Sequence, residues 1–484
     1  MSVIEGRENI LDYWQRQLNQ AWTNLERKHG KEPVRRNILL ALLYMINYKH
    51  RPRMENLDNP NSQIGEELAQ FRVLLGTLDE LLRRGWNRLE SLQIPNNVQT
   101  FEDIVWRDFQ VLGHLRNMHS VALISKRKSM RVFADEEERN VHMSKTDAAF
   151  AEWQGSYRLD GEWIEYYHNE SRLDERIRTL VKAEVEEKYG FSQNRLIYFN
   201  KIIAGLIQRS IEWWMQGGNS IITWKHIELL DMLRQEYQYA PAIDSSTASA
   251  FLEEIEYSPD RSWARSPFVK IDMIQDTIYV PVHYFLYPPN IFASAWIDYI
   301  IERGSAIGTI GREWGVSFEK YVRTELAKFH PHLNVEASNI ILNSTTYPDI
   351  RDCLGEIGKS QIEIDVIAHT IKKLYLISCK SMGSYTAPDM LKNLSLLDFH
   401  DLETQTDQDF DMTGEIEDYA KCVKQSNTFL KSSGFEGLEI VPILITATFR
   451  PLCLESVQEL FADYRIIPSV RIIQAMRLSE AQFN

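Results

Sequence analysis

Two runs rich in Ile, Val, Leu and Tyr, residues 362–369 and 374–380, are separated only by Thr370-Ile371-Lys372-Lys373, and this pairing constrains the chain more than any other feature. So short a break between strand-like runs predicts an antiparallel hairpin. Side chains alternate faces along a strand, so Glu363 and Asp365 are expected on one face, and Ser378 and Lys380 on one face of the partner. Lys380 is then expected near Asp365. A carboxylate and an ammonium brought together in this way form either a plain cross-strand ion pair or part of a site.

The order of residues around the hairpin favours a site. Upstream, from residue 311, the apolar positions Val316, Tyr321, Val322, Leu326 and Phe329 make an imperfect helical stripe, and Glu319 lies in the same predicted helix. Hydrolysis of a phosphodiester needs a carboxylate to hold a hard divalent cation, a second oxygen ligand, and a positive group to orient water or offset developing charge. Asp365 and Lys380 supply the first and last. Glu319, Glu363 and Asp389 are the candidates for the second. Glu319 and Glu363 are preferred, because Asp389 follows Pro388 at a predicted helix start, where a first-turn charge is expected anyway.

The series Gly315-x-x-Phe318-Glu319-Lys320-Tyr321-Val322, then Glu363-Ile364-Asp365-Val366, then Leu374-Tyr375-Leu376-Ile377-Ser378-Cys379-Lys380-Ser381 resembles the PD-(D/E)xK restriction-endonuclease-like superfamily. Within it, the series is similar to the nuclease domains fused to cyclic-nucleotide sensors in bacterial antiviral effectors. The resemblance covers about residues 305–484. It implies an α/β domain with a mixed central sheet flanked by helices, and a magnesium- or manganese-dependent endonuclease that cuts DNA rather than RNA in defence against phage or foreign DNA. It further implies that Asp365, Glu319, Glu363 and the backbone carbonyl of Cys379 hold the metal while Lys380 orients water. One position departs from the pattern: Ser378 stands where the superfamily has Glu or Asp. A hydroxyl is a poor magnesium ligand, so either the acid has moved or the site is weakened. In an active site Ser378 would hold a water at the metal. A weakened one would leave a catalytically silent module that binds nucleic acid or assembles a defence complex, and an RNase of the same fold is a further alternative.

Other residues of this region read as structure. Pro348-Asp349 is expected in a turn, Cys379 in the core, and His330-Pro331-His332 at a helix stop without zinc partners. Residues 339–342 and 438–449 and the run 466–473 are expected to join the hairpin in one sheet, with a helix at 455–464. The acid-rich run from Asp398 through Glu415 to Asp418 reads as a solvated loop or a flap over the site, followed by a helix over residues 419–431.

Preceding this region, residues 1–145 show helical periodicity at 10–29, 34–48, 64–84 and 101–118, and residues 146–305 at 174–188, 195–215, 224–237 and 291–303. A hairpin is expected at 268–273 and 277–282, around Gln275-Asp276. This half has no catalytic constellation and reads as a substrate-selecting, partner-docking, ligand-sensing or oligomer-forming part. Trp153, Trp163, Trp213 and Trp214 suit helix packing better than base stacking. No phosphate loop of NTPase spacing occurs, which argues against nucleotide hydrolysis. The net charge of −14 opposes general affinity for nucleic acid, so any such surface is local, at residues 31–36, 51–53 or, best, 125–131. Four cysteines without a CxxC suggest reduced thiols, and with no signal peptide or membrane-length apolar run the expected location is the cytoplasm.

Overall fold

The computed structural model describes residues 2–49, 62–90, 98–124, 129–132, 221–236, 241–257, 268–274, 276–282, 307–380, 412–446 and 469–483, with isolated positions between 179 and 216. The chain divides into two compact units, one built from most of residues 1–310 and the other from most of residues 311–484.

In the first unit, α1 (Arg7–His29), α2 (Glu32–Tyr44), α3 (Ser62–Arg83) and α4 (Gln110–Ile124) follow the apolar periodicity of the sequence. On α1 the buried positions Ile10, Trp14, Leu18, Trp22 and Leu25 form one stripe. Trp86 is buried with its ring 5.4 Å from that of Trp22 and 5.6 Å from that of Phe109, so these indoles pack rather than stack on a ligand. A four-stranded sheet combines β1 (Arg88–Leu89), β2 (Trp224–Lys225), β3 (Phe268–Met273) and β4 (Thr277–Pro281) in the order β1-β3-β4-β2. The β3–β4 hairpin is the expected one, with Phe268 opposite Pro281. The helix expected from residue 224 starts two residues later, as α5 (His226–Arg234), because Trp224 and Lys225 pair with β4. A further helix, α6, spans Ser245–Ile255. The described positions within 174–188 and 195–215 are helical, while residues 291–303, Trp153, Trp163, Trp213 and Trp214 lie outside the described residues. Among the described residues no helix is long and apolar enough to cross a membrane.

The second unit begins with α7 (Ile307–Phe329), β5 (Asn334–Val335), β6 (Ile340–Asn343) and α8 (Arg351–Glu356). The strands β7 (Gln361–Ile364), β8 (Val366–His369) and β9 (Lys373–Lys380) follow, then α9 (Met412–Gln425), α10 (Asn427–Ser432), β10 (Glu439–Thr446) and β11 (Arg471–Gln474). The main sheet is mixed, in the order β11-β10-β9-β8-β5, with β9, β10 and β11 parallel and β8 antiparallel to both its neighbours. Leu374, Leu376 and Ile377 of β9 and Ile443, Leu444 and Ile445 of β10 are fully buried, as in a sheet covered on both faces. Ile416, Ala420 and Val423 of α9 are buried as well, and this helix packs on β9 and β10. The unit is therefore a mixed α/β structure.

Four expectations for this unit need correction. Residues 362–369 are not one strand: the chain bends at Asp365, and β7 pairs with β6 in a separate two-stranded ribbon. The pattern changes there, since Ile362 and Ile364 are buried alternately whereas Val366, Ile367 and Ala368 are buried consecutively. For the same reason residues 339–342 do not reach the main sheet, whose edge is β5. Glu415, Glu417 and Asp418 lie on α9 rather than in a loop, because Ile416, Tyr419, Ala420 and Val423 give that segment an apolar stripe. Finally, Cys353 on α8 and Cys422 on α9 form a disulfide with Cα atoms 5.5 Å apart. A spacing rule that looks for CxxC does not see cysteines that only tertiary packing brings together, so the argument from reduced thiols to a reducing compartment falls. The helix expected at 455–464, the acids from Asp398 to Asp411, and Asp389 lie outside the described residues.

The two histidines tie down the C-terminal segment: His330 Nε2 lies 2.6 Å from the Leu478 carbonyl oxygen and His332 Nε2 2.7 Å from that of Phe483. Pro348-Asp349 forms a short 3₁₀ turn, and Asp349 accepts from Ser426 Oγ (3.1 Å) and the Thr428 N–H (2.8 Å), anchoring the start of α10. Asp349→Ala is expected to cost ~1 kcal/mol in urea unfolding, the usual scale for losing a side-chain cap.

Candidate active site

The bend at Asp365 turns its carboxylate onto the neighbouring strand. β8 and β9 are in register with Val366 opposite Ile377, which places Asp365 beside Ser378. Asp365 Oδ2 accepts from the Cys379 main-chain N–H at 2.6 Å and from Ser378 Oγ at 3.3 Å. The carboxylate is thereby oriented by β9 itself. Cys379 contributes its backbone here while its thiol is buried, and burial pushes that thiol far up, so it stays protonated.

Helix α7 brings Glu319 to the same place. Arg323, one turn on, lies 3.6 Å from Glu319 Oε2 and donates to the main-chain oxygen of Asp365, which ties the helix to the bend. Burial pushes Glu319 up to about 7, and the negative charges of Asp365 and Glu363 add to the rise against the opposing Arg323 and Lys380. Burial raises Asp365 as well, opposed by the Cys379 N–H, by Lys380 and by Ser378. Glu363, on β7, accepts from Asn339 Nδ2. The three acids of the series therefore act on one another electrostatically.

Lys380 is not paired with Asp365 as the hairpin register suggests. Its Nζ lies 3.3 Å from Glu415 Oε2 on α9, while its charge still lowers both Asp365 and Glu319. Glu415 Oε1 in turn accepts from Lys359 Nζ and from Tyr419 Oη, each at 2.6 Å, and Lys359 donates to Tyr419 Oη at 2.6 Å. Burial favours the neutral form of Glu415, yet Lys380, Lys359 and Tyr419 outweigh it and hold the carboxyl below the usual range. Lys359 also lies 4.7 Å from the centre of the Tyr419 ring. The plain cross-strand ion pair is thus absent, and a two-part arrangement of acids and lysines takes its place.

Glu319, Glu363, Asp365, Ser378 and Lys380 are the expected site residues that the fold assembles. Arg323, Lys359, Glu415 and Tyr419 are additions that the sequence reading missed. The apolar stripe of α9 was the available signal for Glu415, since it places the residue beside a buried face instead of in a solvated loop.

Among the described residues, no three His, Cys, Asp or Glu side chains already converge as a metal centre. The donor chemistry nonetheless fits a hard divalent cation. The groups are carboxylate oxygens, and burial together with mutual repulsion opposes the ionisation of Glu319 and Asp365, a cost that a bound cation would relieve. Comparison with protein-family models, with curated proteins and with solved structures finds no match.

Proposed function

We propose that the second unit is a divalent-cation-dependent nuclease with a restriction-endonuclease-like fold that hydrolyses phosphodiester bonds. The observation that carries this reading is the meeting of Glu319 from a helix, Asp365 from a strand bend and Lys380 from the next strand within one electrostatically coupled site. Asp365 and Glu319, with Glu363 at the margin, would hold magnesium or manganese. When bound, such a cation supplies charge stabilisation at the phosphoryl oxygens. Lys380 orients the attacking water and offsets negative charge that develops at phosphorus. Ser378 keeps the Asp365 carboxylate turned toward the site, a positioning task for which a hydroxyl suffices. DNA as the preferred substrate, and a setting in defence against phage or foreign DNA, rest on the resemblance of the motif series alone. The first unit would select the substrate, sense an activating ligand or bind a partner, including a second copy of the chain.

The test is incubation of the full chain with supercoiled plasmid, single-stranded DNA and RNA, each with magnesium, manganese or excess chelator. Metal-dependent nicking or linearisation of plasmid, abolished by chelator, is the expected result. Cleavage of RNA alone would reassign the substrate. If no substrate is cut and calorimetry detects no magnesium or manganese binding, the silent-module reading takes its place.

A further inference from the structure

The lysine of the site is held by an acid from outside the motif series. Lys380 ends β9, where one face of the strand turns toward Asp365, and its Nζ meets Glu415 from α9 at 3.3 Å. Glu415 is an unusual surface for a lysine to rest on. Its side chain is only 12% exposed, and its second oxygen is held by both Lys359 Nζ and Tyr419 Oη at 2.6 Å. The carboxylate therefore has little freedom to rotate or withdraw. Its supports are also fixed to one another: Lys359 follows α8 closely, Tyr419 is one turn beyond Glu415 on α9, and the Cys353–Cys422 disulfide joins these two helices. A long, flexible lysine side chain loses considerable rotamer freedom when fixed, and a pre-fixed carboxylate reduces what the reaction itself must supply.

We infer that Glu415, braced by Lys359 and Tyr419, is a positioning residue that holds the Lys380 ammonium toward the Asp365–Glu319 acids. This rests on the proposed nuclease reading. Glu415 acts on the chemistry only through Lys380, whose charge is felt at both Glu319 and Asp365. Removing the anchor leaves the lysine present but no longer held at this carboxylate, and the loss should fall on turnover rather than on substrate binding.

The experiment uses the full chain and three variants, Glu415→Gln, Glu415→Asp and Tyr419→Phe, with two independent readouts. The first is the rate at which Lys380 is acylated by a water-soluble amine reagent, read by peptide mass spectrometry against the exposed Lys372. Glu415→Gln should raise the Lys380 to Lys372 ratio ~5-fold, Glu415→Asp should restore much of the protection, and Tyr419→Phe should give an intermediate value, since a rate change of a few-fold corresponds to loss of one ion pair worth about 1 kcal/mol. The second is kcat and KM for cleavage, where Glu415→Gln should lower kcat ~10–100-fold with KM little changed. An unchanged Lys380 labelling ratio in Glu415→Gln overturns the inference whatever the activity. Raised labelling with unaltered kcat also overturns it, because the anchor then holds the lysine to no catalytic end. Raised labelling in a protein that cuts nothing, even as wild type, defeats the nuclease reading and the positioning role that rests on it, while leaving Glu415 as the measured restraint on Lys380. Circular dichroism of each variant separates these outcomes from a failure to fold.

Discussion

Asp365→Ala is expected to abolish the proposed metal-dependent cleavage, with a loss of ~10³-fold or more, the scale for removing a preorganised charged group from a reacting centre. The position of the residue explains why the loss should exceed that of its neighbours. Asp365 is the site acid whose carboxylate is held by two donors on the adjacent strand, the Cys379 N–H and Ser378 Oγ. Glu319 and Glu363 reach the site from a helix and a ribbon. Lys380→Ala should fall in the same range, because it removes the ammonium whose charge acts on Asp365 and Glu319. The two substitutions should differ in a second assay. Asp365→Ala loses magnesium binding by calorimetry, whereas Lys380→Ala retains it, and retention of tight binding by Asp365→Ala would sink the assignment of Asp365 as a metal ligand. Folding controls are informative here, since Asp365→Ala removes a partly buried carboxylate whose ionisation burial already disfavours.

Cation binding should depend steeply on pH because of Glu319. With this carboxyl at about 7 instead of its ordinary 4.5, the cation must displace a proton below pH 7. The apparent affinity for magnesium or manganese is expected to rise ~100-fold from pH 5 to pH 8 and to level off above pH 7, as linkage to one displaced proton requires. Calorimetry at pH 6 in buffers of different ionisation enthalpy should detect close to one proton released. Glu319→Gln should weaken binding and flatten the profile; an affinity that is already independent of pH in the wild type between 5 and 8 would refute the coupling. Stability without metal carries the same signature. The unfolded chain gives up its Glu319 proton near 4.5 while the folded chain keeps it to about 7, so stability falls as pH rises through that window. Glu415 acts in the opposite sense: its carboxyl is held low, so its contribution is present above the ordinary glutamate range and is lost as pH falls through the lowered value.

Much of the site was legible because its elements have strong local signals. The β8–β9 hairpin follows from two apolar runs and a short break, and Glu319 from a helical stripe. The strand break at Asp365 was harder to see because the Ile and Val residues on both sides of it suit a strand. What changes is whether one face or both faces are buried, and that depends on neighbours distant in sequence. Glu415 was hidden by composition, since a segment with many acids suggests solvent until its Ile416, Tyr419, Ala420 and Val423 spacing is weighed separately. The Lys380–Glu415 pair and the Cys353–Cys422 bridge join residues 35 and 69 positions apart, and no local pattern encodes such contacts.

The bend at Asp365 also passes the chain from one hydrogen-bonded ladder to another. One side of it belongs to the β6–β7 ribbon and the other to the main sheet, and the two share no ladder of hydrogen bonds. Beyond the ribbon the chain runs through α8 and Lys359, both tied to α9, so lengthening the ribbon by one residue on each strand would strain those ties, while the main sheet would keep Asp365 aligned with Ser378. A change in the ribbon would thus reach the site through Lys359, Glu415 and Lys380, and a change in the main sheet through Asp365, so the two halves of the chemistry are adjusted from different parts of the fold.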